Sequence, residues 1–373
     1  MSKIDIGLVL SKTFTVIKKQ PFIFIPFLVL AFLYAIFIVL TFPYTVEMMQ
    51  AFESFDSEGY QYEYVMSPSD VFEDIASIFT GMAKLIVILT VGGFILWIIQ
   101  IFLYTGTVSM IGDVIEGKKT SIGSFINVSI SRGFIVLLST IAAYIVVFLP
   151  SILGIFIFLI SILSMSEEVI VTAFLIAFIL FILQLLWLLA ILFFLSSKIP
   201  RIIYIVITAI TTAFVILGIF FIPLLIIAIP FFILLLILVM ISMIIITFTI
   251  DYIIPSAVVL DNTGIIDALK KSFIFAKEHT INLGLLILIA IALIIIVSIP
   301  FGIFSVMMQM GDIMSSDFYS EEPQVYVPTT ADLIIEIIQT FVLTGFISPF
   351  ILLAFVLGYV NATKGREILE KIE

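Results

Sequence analysis

The chain has 373 residues, of which 63% are hydrophobic and only 11% are charged, and its mean hydropathy is +1.38. This composition excludes an ordinary soluble domain, because the apolar residues exceed what a water-surrounded core can bury. The formal net charge is −10, and the absence of cysteine excludes disulfides, iron–sulfur clusters and thiolate zinc sites. The composition predicts an all-α polytopic membrane protein.

In chain order, a short amphipathic segment precedes the first of eight long apolar stretches. A helix needs about 20 apolar residues to cross a hydrocarbon core about 30 Å thick. Stretches of this length predict transmembrane spans at 22–42, 85–110, 134–163, 169–195, 202–220, 224–250, 281–304 and 333–360. Pro223 and Pro230 predict a break between the fifth and sixth spans, because proline removes a backbone donor.

The basic residues predict the orientation of these spans. With eight spans and an inner N-terminus, fifteen of the sixteen Lys and Arg residues fall on one side, and only Lys84 falls on the other. Positive residues are retained on the cytoplasmic side during insertion. We therefore expect a multi-pass protein of the cell membrane with both termini in the cytoplasm, and with most carboxylates in the outer loops.

The two ends of the chain resemble each other. A shift of 259 residues aligns five residues of the first segment with Ile265, Leu269, Lys271, Phe273 and Lys277, and these five are Ile6, Leu10, Lys12, Phe14 and Lys18. Composition bias is the alternative explanation. A duplication predicts one membrane domain, 1–373, with repeat unit A at 3–118, four central spans at 119–254 and repeat unit B at 262–366. Because both copies would run in the same direction, these are parallel repeats.

Each repeat unit is predicted to begin with an amphipathic helix on the inner surface. The apolar positions are Ile6, Leu10, Phe14 and Ile17 in the first helix, and Ile265, Leu269, Phe273 and Ala276 in the second. Such helices can lie in the headgroup layer, where lysines attract anionic lipid, or pack as elbows on the inner ends of the spans. The candidate contacts for lipid or a partner are Lys12, Lys18, Lys19, Lys270, Lys271 and Lys277.

The remaining polar residues predict little chemistry. The outer loops pair carboxylates with tyrosines but lack the spacing of a calcium loop, which favours a small lid. The single histidine, His279, is interpreted as a solvated residue, and no phosphate-binding glycine loop or Gly-x-Ser-x-Gly motif occurs. Asp251 is placed at the inner end of a span and Glu336 near the outer end of another, which disfavours ion-coupled transport. We expect no catalytic residues, metal, cofactor or nucleic-acid partner.

One segment resembles a known family. Residues 255–273, Pro-Ser-Ala-Val-Val-Leu-Asp-Asn-Thr-Gly-Ile-Ile-Asp-Ala-Leu-Lys-Lys-Ser-Phe, and the N-terminal stretch 5–21 are similar to the prokaryotic multi-pass family named for the membrane domain of glycerophosphoryl diester phosphodiesterase. The resemblance implies a helical membrane protein. It implies no catalytic residue, because the phosphodiesterase activity belongs to a soluble domain fused to some members.

The sequence thus leads to two functional hypotheses of different classes. The first is a non-enzymatic membrane protein that organises lipid or a membrane partner through its basic inner helices. The alternative is a permease or lipid-translocating protein with a path between the repeats and a moving hairpin at Pro223 and Pro230. An intramembrane enzyme is the least supported class, because no catalytic set is found.

Overall fold

The computed structural model describes residues 4–59, 68–163, 240–241, 243–315 and 327–372, and all regular structure in these ranges is helical. The described helices are α1 (Ile6–Lys19), α2 (Ile25–Gly59), α3 (Pro68–Ile115), α4 (Ile122–Leu163), α5 (Ile254–Leu260), α6 (Ile265–Glu278), α7 (Thr280–Ser315), α8 (Thr330–Thr340), α9 (Ser348–Lys364) and α10 (Arg366–Glu370). A 3₁₀ turn at Pro21–Phe24 precedes α2, and π-turns occupy Thr249–Ile253 and Phe341–Ile347.

Six described segments are long and apolar enough to cross a membrane. They are Pro21–Gln50, Gly81–Ile115, Ile122–Phe148, Met243–Leu260, Thr280–Met308 and Thr330–Lys364. This is the architecture of a multi-pass membrane protein. Six predicted spans coincide or overlap with these segments, whereas the predicted spans 169–195 and 202–220 and the two hairpin prolines lie outside the described residues. The sixth span was predicted to end at residue 250, and this is wrong, because the apolar helical segment continues to Leu260.

The chain divides into two compact units. Unit 1 consists of Met1–Val16, Thr105–Leu288 and Leu353–Glu373. Its core is built around α9, in which every residue from 353 to 362 is buried. The rings of Phe355 and Tyr252 stack with their centroids 5.0 Å apart, and Tyr359 contacts Phe275 at 5.2 Å. A helix that is buried on all sides needs neighbours on all sides, so α9 organises the packing of this unit.

Unit 2 consists of Ile17–Tyr104 and Ile289–Leu352. Here α2 packs against the second π-turn, where a Cβ added at Gly345 would lie 3.1 Å from Leu28, so glycine permits the close approach. The Tyr34 hydroxyl donates to Gln100 Oε1 at 3.1 Å and joins α2 to α3. Gln100 therefore connects two helices, as intramembrane amides often do.

The start of α8 is fixed by side-chain hydrogen bonds. Thr329 and Asp332 form a capping box, in which the Thr329 hydroxyl accepts from the Asp332 N–H and the Asp332 carboxylate accepts from the Thr329 N–H at 2.8 Å. This arrangement satisfies two backbone donors that a helix start leaves free. The threonine-aspartate pattern therefore sets where α8 begins.

Candidate functional site

The first lysine-bearing helix, α1, packs through a different face from the one predicted. Asp5 caps the helix, because its Oδ1 accepts from the Leu8 N–H at 3.0 Å. The buried residues are Val9, Thr13 and Val16, whereas Phe14 is 63% exposed. The predicted apolar face that included Phe14 is therefore not the face that packs on protein. Thr13 can be buried because its hydroxyl donates to the Val9 carbonyl at 2.9 Å, which hides its polarity.

The C-terminal segment holds α1 in place within unit 1. Lys12 Nζ donates to the carbonyl of Ile372 at 2.5 Å, and the Asn361 side chain accepts from the Asp5 N–H at 2.8 Å. Arg366 reaches the Asp5 carboxylate at 3.2 Å. Leu369 is completely buried beside these polar contacts. Residues from the two ends of the chain are thus in direct contact, and Lys12 is part of that contact.

The second lysine-bearing helix, α6, also packs on protein through a face other than the predicted apolar one. Its buried residues are Ala268, Ser272, Phe275 and Ala276, and among the four predicted apolar positions only Ala276 belongs to them. The Ser272 hydroxyl donates to the Ala268 carbonyl at 2.8 Å. Small residues on this face permit close helix contact, which hydropathy alone does not reveal. The inner faces of both helices therefore pack on protein, as the elbow interpretation expected.

Asp261 is the centre of a polar cluster that the sequence analysis missed. Its Oδ2 accepts from Lys271 Nζ and from the Tyr359 hydroxyl, each at 2.8 Å. The Asp261 side chain is 17% exposed and that of Lys271 is 43% exposed, so the ion pair is only partly screened by solvent. The cluster ties the loop after α5 to α6 and to the central helix α9. No short-range pattern could have revealed it, because Tyr359 lies 98 residues from Asp261.

The rest of the same loop is also fixed by side chains. Asn262 has φ of 53°, a left-handed conformation that asparagine tolerates better than most residues, and its side chain accepts from Arg132 of α4. The hydroxyl of the buried Thr263 donates to the Ala257 carbonyl at 2.8 Å. These residues belong to the segment 255–273 that carries the family resemblance. Its polar residues hold the connection between α5 and α6.

The six candidate lysines fall into two groups. Lys12 and Lys271 occupy corresponding positions of the predicted repeat, and both are half-buried and bonded within unit 1. The exposed members of the set are Lys18, Lys19, Lys270 and Lys277. Only the exposed group can reach a lipid or a partner without losing an internal contact. The structure therefore narrows the candidate contacts from six lysines to four.

The environment of His279 differs from the prediction. The residue is 6% exposed rather than solvated, and its ring lies 5.0 Å from that of Phe275. Burial lowers the pKa of His279, although the neighbouring Glu278 acts in the opposite direction. The neutral form is therefore favoured at pH 7. His279 is a core residue at the junction between α6 and α7.

Asp251 also lies elsewhere than predicted. The residue belongs to the first π-turn, within the apolar segment Met243–Leu260, and not at the end of a span. Its Oδ1 accepts from the hydroxyl of Tyr144, on α4, at 3.0 Å. The premise that disfavoured ion-coupled transport, namely that Asp251 sits at a span end, therefore no longer holds.

A small cleft of about 130 Å³ lies in unit 1, where the C-terminal ends of α3, α5 and α9 meet. Its charged residues are Asp113, Glu116 and Lys364. Each already has a partner, since Asp113 accepts from Ser124 at 3.0 Å, Glu116 from Lys118 at 2.5 Å, and Lys364 donates to the Leu260 carbonyl at 3.4 Å. In the described ranges no three His, Cys, Asp or Glu side chains come together as a metal site would require.

Comparison of the chain with family models, with curated proteins and with solved structures finds no match. The described features that bear on function are the exposed lysines of α1 and α6, the Asp261 cluster and the Tyr144–Asp251 pair.

Proposed function

We propose that this is a non-enzymatic membrane protein that binds anionic lipid headgroups at its basic face. The observation that carries the proposal is one exposed stripe on α6, which alternates apolar and basic side chains: Ile266, Lys270, Ile274 and Lys277. Their spacings of four and three residues place them on one side of the helix. Ile266 is 79% exposed, which is costly in water and favourable in the headgroup and acyl boundary.

A similar but shorter stripe on α1 supports the same reading. Phe14 and Lys18 are four residues apart and both are exposed, and Lys19 adds a second charge. An apolar side chain can enter the acyl region while a lysine beside it extends to the phosphate layer. Each lysine near an anionic leaflet contributes about 1 kcal/mol. The inner face of each helix packs on protein and leaves this outer face for lipid.

The proposed topology has eight spans with both termini in the cytoplasm. A chain whose ends meet on one face crosses a membrane an even number of times, and the contacts of Asp5 with Asn361 and Arg366 favour such a pairing. The basic residues of the sequence favour this orientation, because fifteen of the sixteen Lys and Arg residues fall on one side of an eight-span topology.

The proposed duplication has support from local structure. Shifted by 259 residues, α1 has the same bounds as α6, and the buried Val9, Thr13 and Val16 correspond to Ala268, Ser272 and Phe275. The hydroxyl bond of Thr13 has its counterpart in that of Ser272. With three further residues inserted in the outer loop of the second copy, the start of α3 at Pro68 likewise corresponds to the start of α8 at Thr330. Polar bonds at matching positions are difficult to attribute to composition alone. Membership of the phosphodiesterase-associated family stays a prediction.

The lipid proposal is tested by native mass spectrometry of the protein reconstituted with equal amounts of phosphatidylglycerol and phosphatidylethanolamine. We expect the wild type to retain phosphatidylglycerol preferentially. The double variant Lys270→Gln, Lys277→Gln should lose about thirtyfold of that preference, if each lysine contributes about 1 kcal/mol. Lys12 and Lys271 are left unchanged, because their internal contacts would confuse the result.

Lys84→Gln is the matched control, since Lys84 is an exposed lysine of unit 2 that lies outside both helices. Its lipid preference should equal that of the wild type. An unchanged preference in the double variant would refute the lipid proposal. A stoichiometric co-purifying protein that is lost in the double variant would assign the stripe to a protein partner instead.

The moving part that the permease alternative requires, at Pro223 and Pro230, lies outside the described residues.

A further inference from the structure

The π-turn at Thr249–Ile253 places a carboxylate within an apolar segment of spanning length. Asp251 is the only ionisable acid in Met243–Leu260, and Tyr144 approaches it from the facing helix. A carboxylate inside a membrane is costly and usually marks a functional site. π-turns within helices are also frequent at functional sites, because the extra residue leaves the regular hydrogen-bond ladder. Two independent features thus coincide at Asp251.

The depth of the pair follows from the helix geometry. Arg132 of α4 contacts Asn262 in the polar loop after α5, and Tyr144 lies twelve residues further along α4. At 1.5 Å per residue this separation is about 18 Å, which exceeds half of a hydrocarbon core about 30 Å thick. We therefore infer that the carboxyl group of Asp251 lies inside the hydrocarbon core and not at its polar boundary.

Within the part of the chain that the structure describes, no positively charged group is paired with Asp251. The described contact of its carboxylate is the neutral Tyr144 hydroxyl, and no Lys, Arg or His among the described residues is recorded as its partner. The adjoining helix α5 contains no ionisable residue. Packed against the π-turn, α6 turns Ala268, Ser272, Phe275 and Ala276 inward. The charged residues of α6 are exposed, with the exception of Lys271, which is paired with Asp261. The Tyr359 hydroxyl of α9 also donates to Asp261.

The neighbouring backbone is already satisfied by hydroxyl groups. Thr249 donates to the Ile245 carbonyl and Ser256 to the Tyr252 carbonyl, each at 2.7 Å. These bonds stabilise the helix on either side of the π-turn and leave the Asp251 side chain free to respond to a ligand. Tyr252 fixes the turn from another side, since its ring stacks on that of Phe355.

We propose that Asp251 is a proton-binding site inside the membrane and that Tyr144 is its positioning residue. A proton is the smallest ligand that removes the charge, and it needs no cavity and no further ligands, unlike a metal cation. In the ionised state the Tyr144 hydroxyl stabilises the carboxylate by donating to Oδ1. In the protonated state the neutral acid is compatible with the apolar surroundings. This inference is independent of the lipid proposal.

The test uses N,N′-dicyclohexylcarbodiimide, an apolar reagent that adds to a neutral carboxylic acid and gives a stable N-acylurea. The full-length protein is labelled in detergent between about pH 6 and about pH 9, and the adduct is located by mass spectrometry. We expect one adduct at Asp251, with labelling that falls about tenfold per pH unit above its midpoint. Asp251→Asn should remove this adduct. The control Glu336→Gln should retain it, because Glu336 is an exposed acid of another span.

A second variant keeps the test decisive if Asp251→Asn does not fold. Tyr144→Phe keeps the ring but removes the donor to the carboxylate, so the ionised form loses a stabilising bond. The midpoint of labelling should therefore move to higher pH. Labelling that is independent of pH, that persists in Asp251→Asn, or that keeps its midpoint in Tyr144→Phe would overturn the proposal.

Discussion

The helices α1 and α6 have the same length and bury corresponding positions, yet they are anchored by different chemistry. In α1, Lys12 donates to backbone carbonyls of the C-terminal segment, at Ile372 and Glu370. In α6, the corresponding Lys271 forms an ion pair with Asp261. The inner faces are alike down to the hydroxyl bonds of Thr13 and Ser272. The backbone and its packing face are thus shared, whereas the partner of the lysine differs.

This difference shows that the buried face restricts the sequence of each helix more strictly than the lysine contact does. A packed face requires side chains of a given size at a given spacing, so few substitutions preserve it. A half-exposed lysine requires only an acceptor within reach, and a carbonyl or a carboxylate serves equally well. We infer that the two helices keep their place through their buried faces. The lysine contacts then tie each helix to whatever segment lies beside it.

The largest expected effect comes from removing the anchor of α1. A chain ending at Gly365 loses the buried Leu369 and Ile372 together with both carbonyl acceptors of Lys12. Burial of two such side chains stabilises by about 3–5 kcal/mol, so the apparent unfolding temperature in detergent should fall markedly. Hydrogen exchange should accelerate in α1 and stay unchanged in α6. Lys371→Gln, which alters an exposed residue of the same segment, is the control and should leave exchange unaffected. Equal acceleration in both helices would show that they are not anchored separately.

The second-largest effect is expected from removing the anchor of α6. Asp261→Ala removes the acceptor of Lys271 and of the Tyr359 hydroxyl, and Tyr359 is 1% exposed. Leaving that buried hydroxyl unpaired costs about 1–3 kcal/mol, and the half-exposed Lys271 adds less because water reaches it. Hydrogen exchange should now accelerate in α6 and the loop before it, and not in α1. Asp261→Asn keeps an acceptor oxygen and should recover part of the stability. A variant without effect would mean that the cluster forms only a surface contact.

The sequence predicted well that these two helices exist, and it predicted poorly which of their faces packs on protein. Their apolar spacing and their lysines marked the segments, and the shift of 259 residues matched both of their ends. The face that packs on protein was not identified, because hydropathy marks Phe14 and not Thr13 as an apolar position. A hydroxyl bonded to its own helix loses that polarity, and a phenyl ring facing lipid loses the cost of exposure. Neither effect can be seen in a periodic pattern.

Only part of the candidate site was predicted, because a local sequence pattern shows exposed charges but not the contacts between distant residues. Exposed lysines such as Lys270 and Lys277 follow from local sequence, because charge near a predicted span end is a local property. The role of Lys12 depends on a partner 360 residues away, and the cluster that holds Lys271 includes Tyr359, which lies 98 residues from Asp261. The pairing of Asp251 with Tyr144 likewise joins residues 107 positions apart. The position of Asp251 was further misjudged because the helix runs on past residue 250 through a π-turn. Contacts of this kind require the tertiary fold.

The smallest expected effect comes from removing a buried hydroxyl, and this change compares the two helices most directly. Thr13→Val and Ser272→Ala each remove one buried hydroxyl whose acceptor lies four residues earlier in its own helix. The accepting carbonyl keeps its regular helical bond, so each change should cost about 1 kcal/mol or less, measured as unfolding in a denaturing detergent. If the faces are equivalent, the two costs should agree within about 0.5 kcal/mol and should add in the double variant, since independent sites add. Unequal costs would mean that one hydroxyl does more than satisfy its own helix. The two faces would then share a pattern of residues without sharing its energetics.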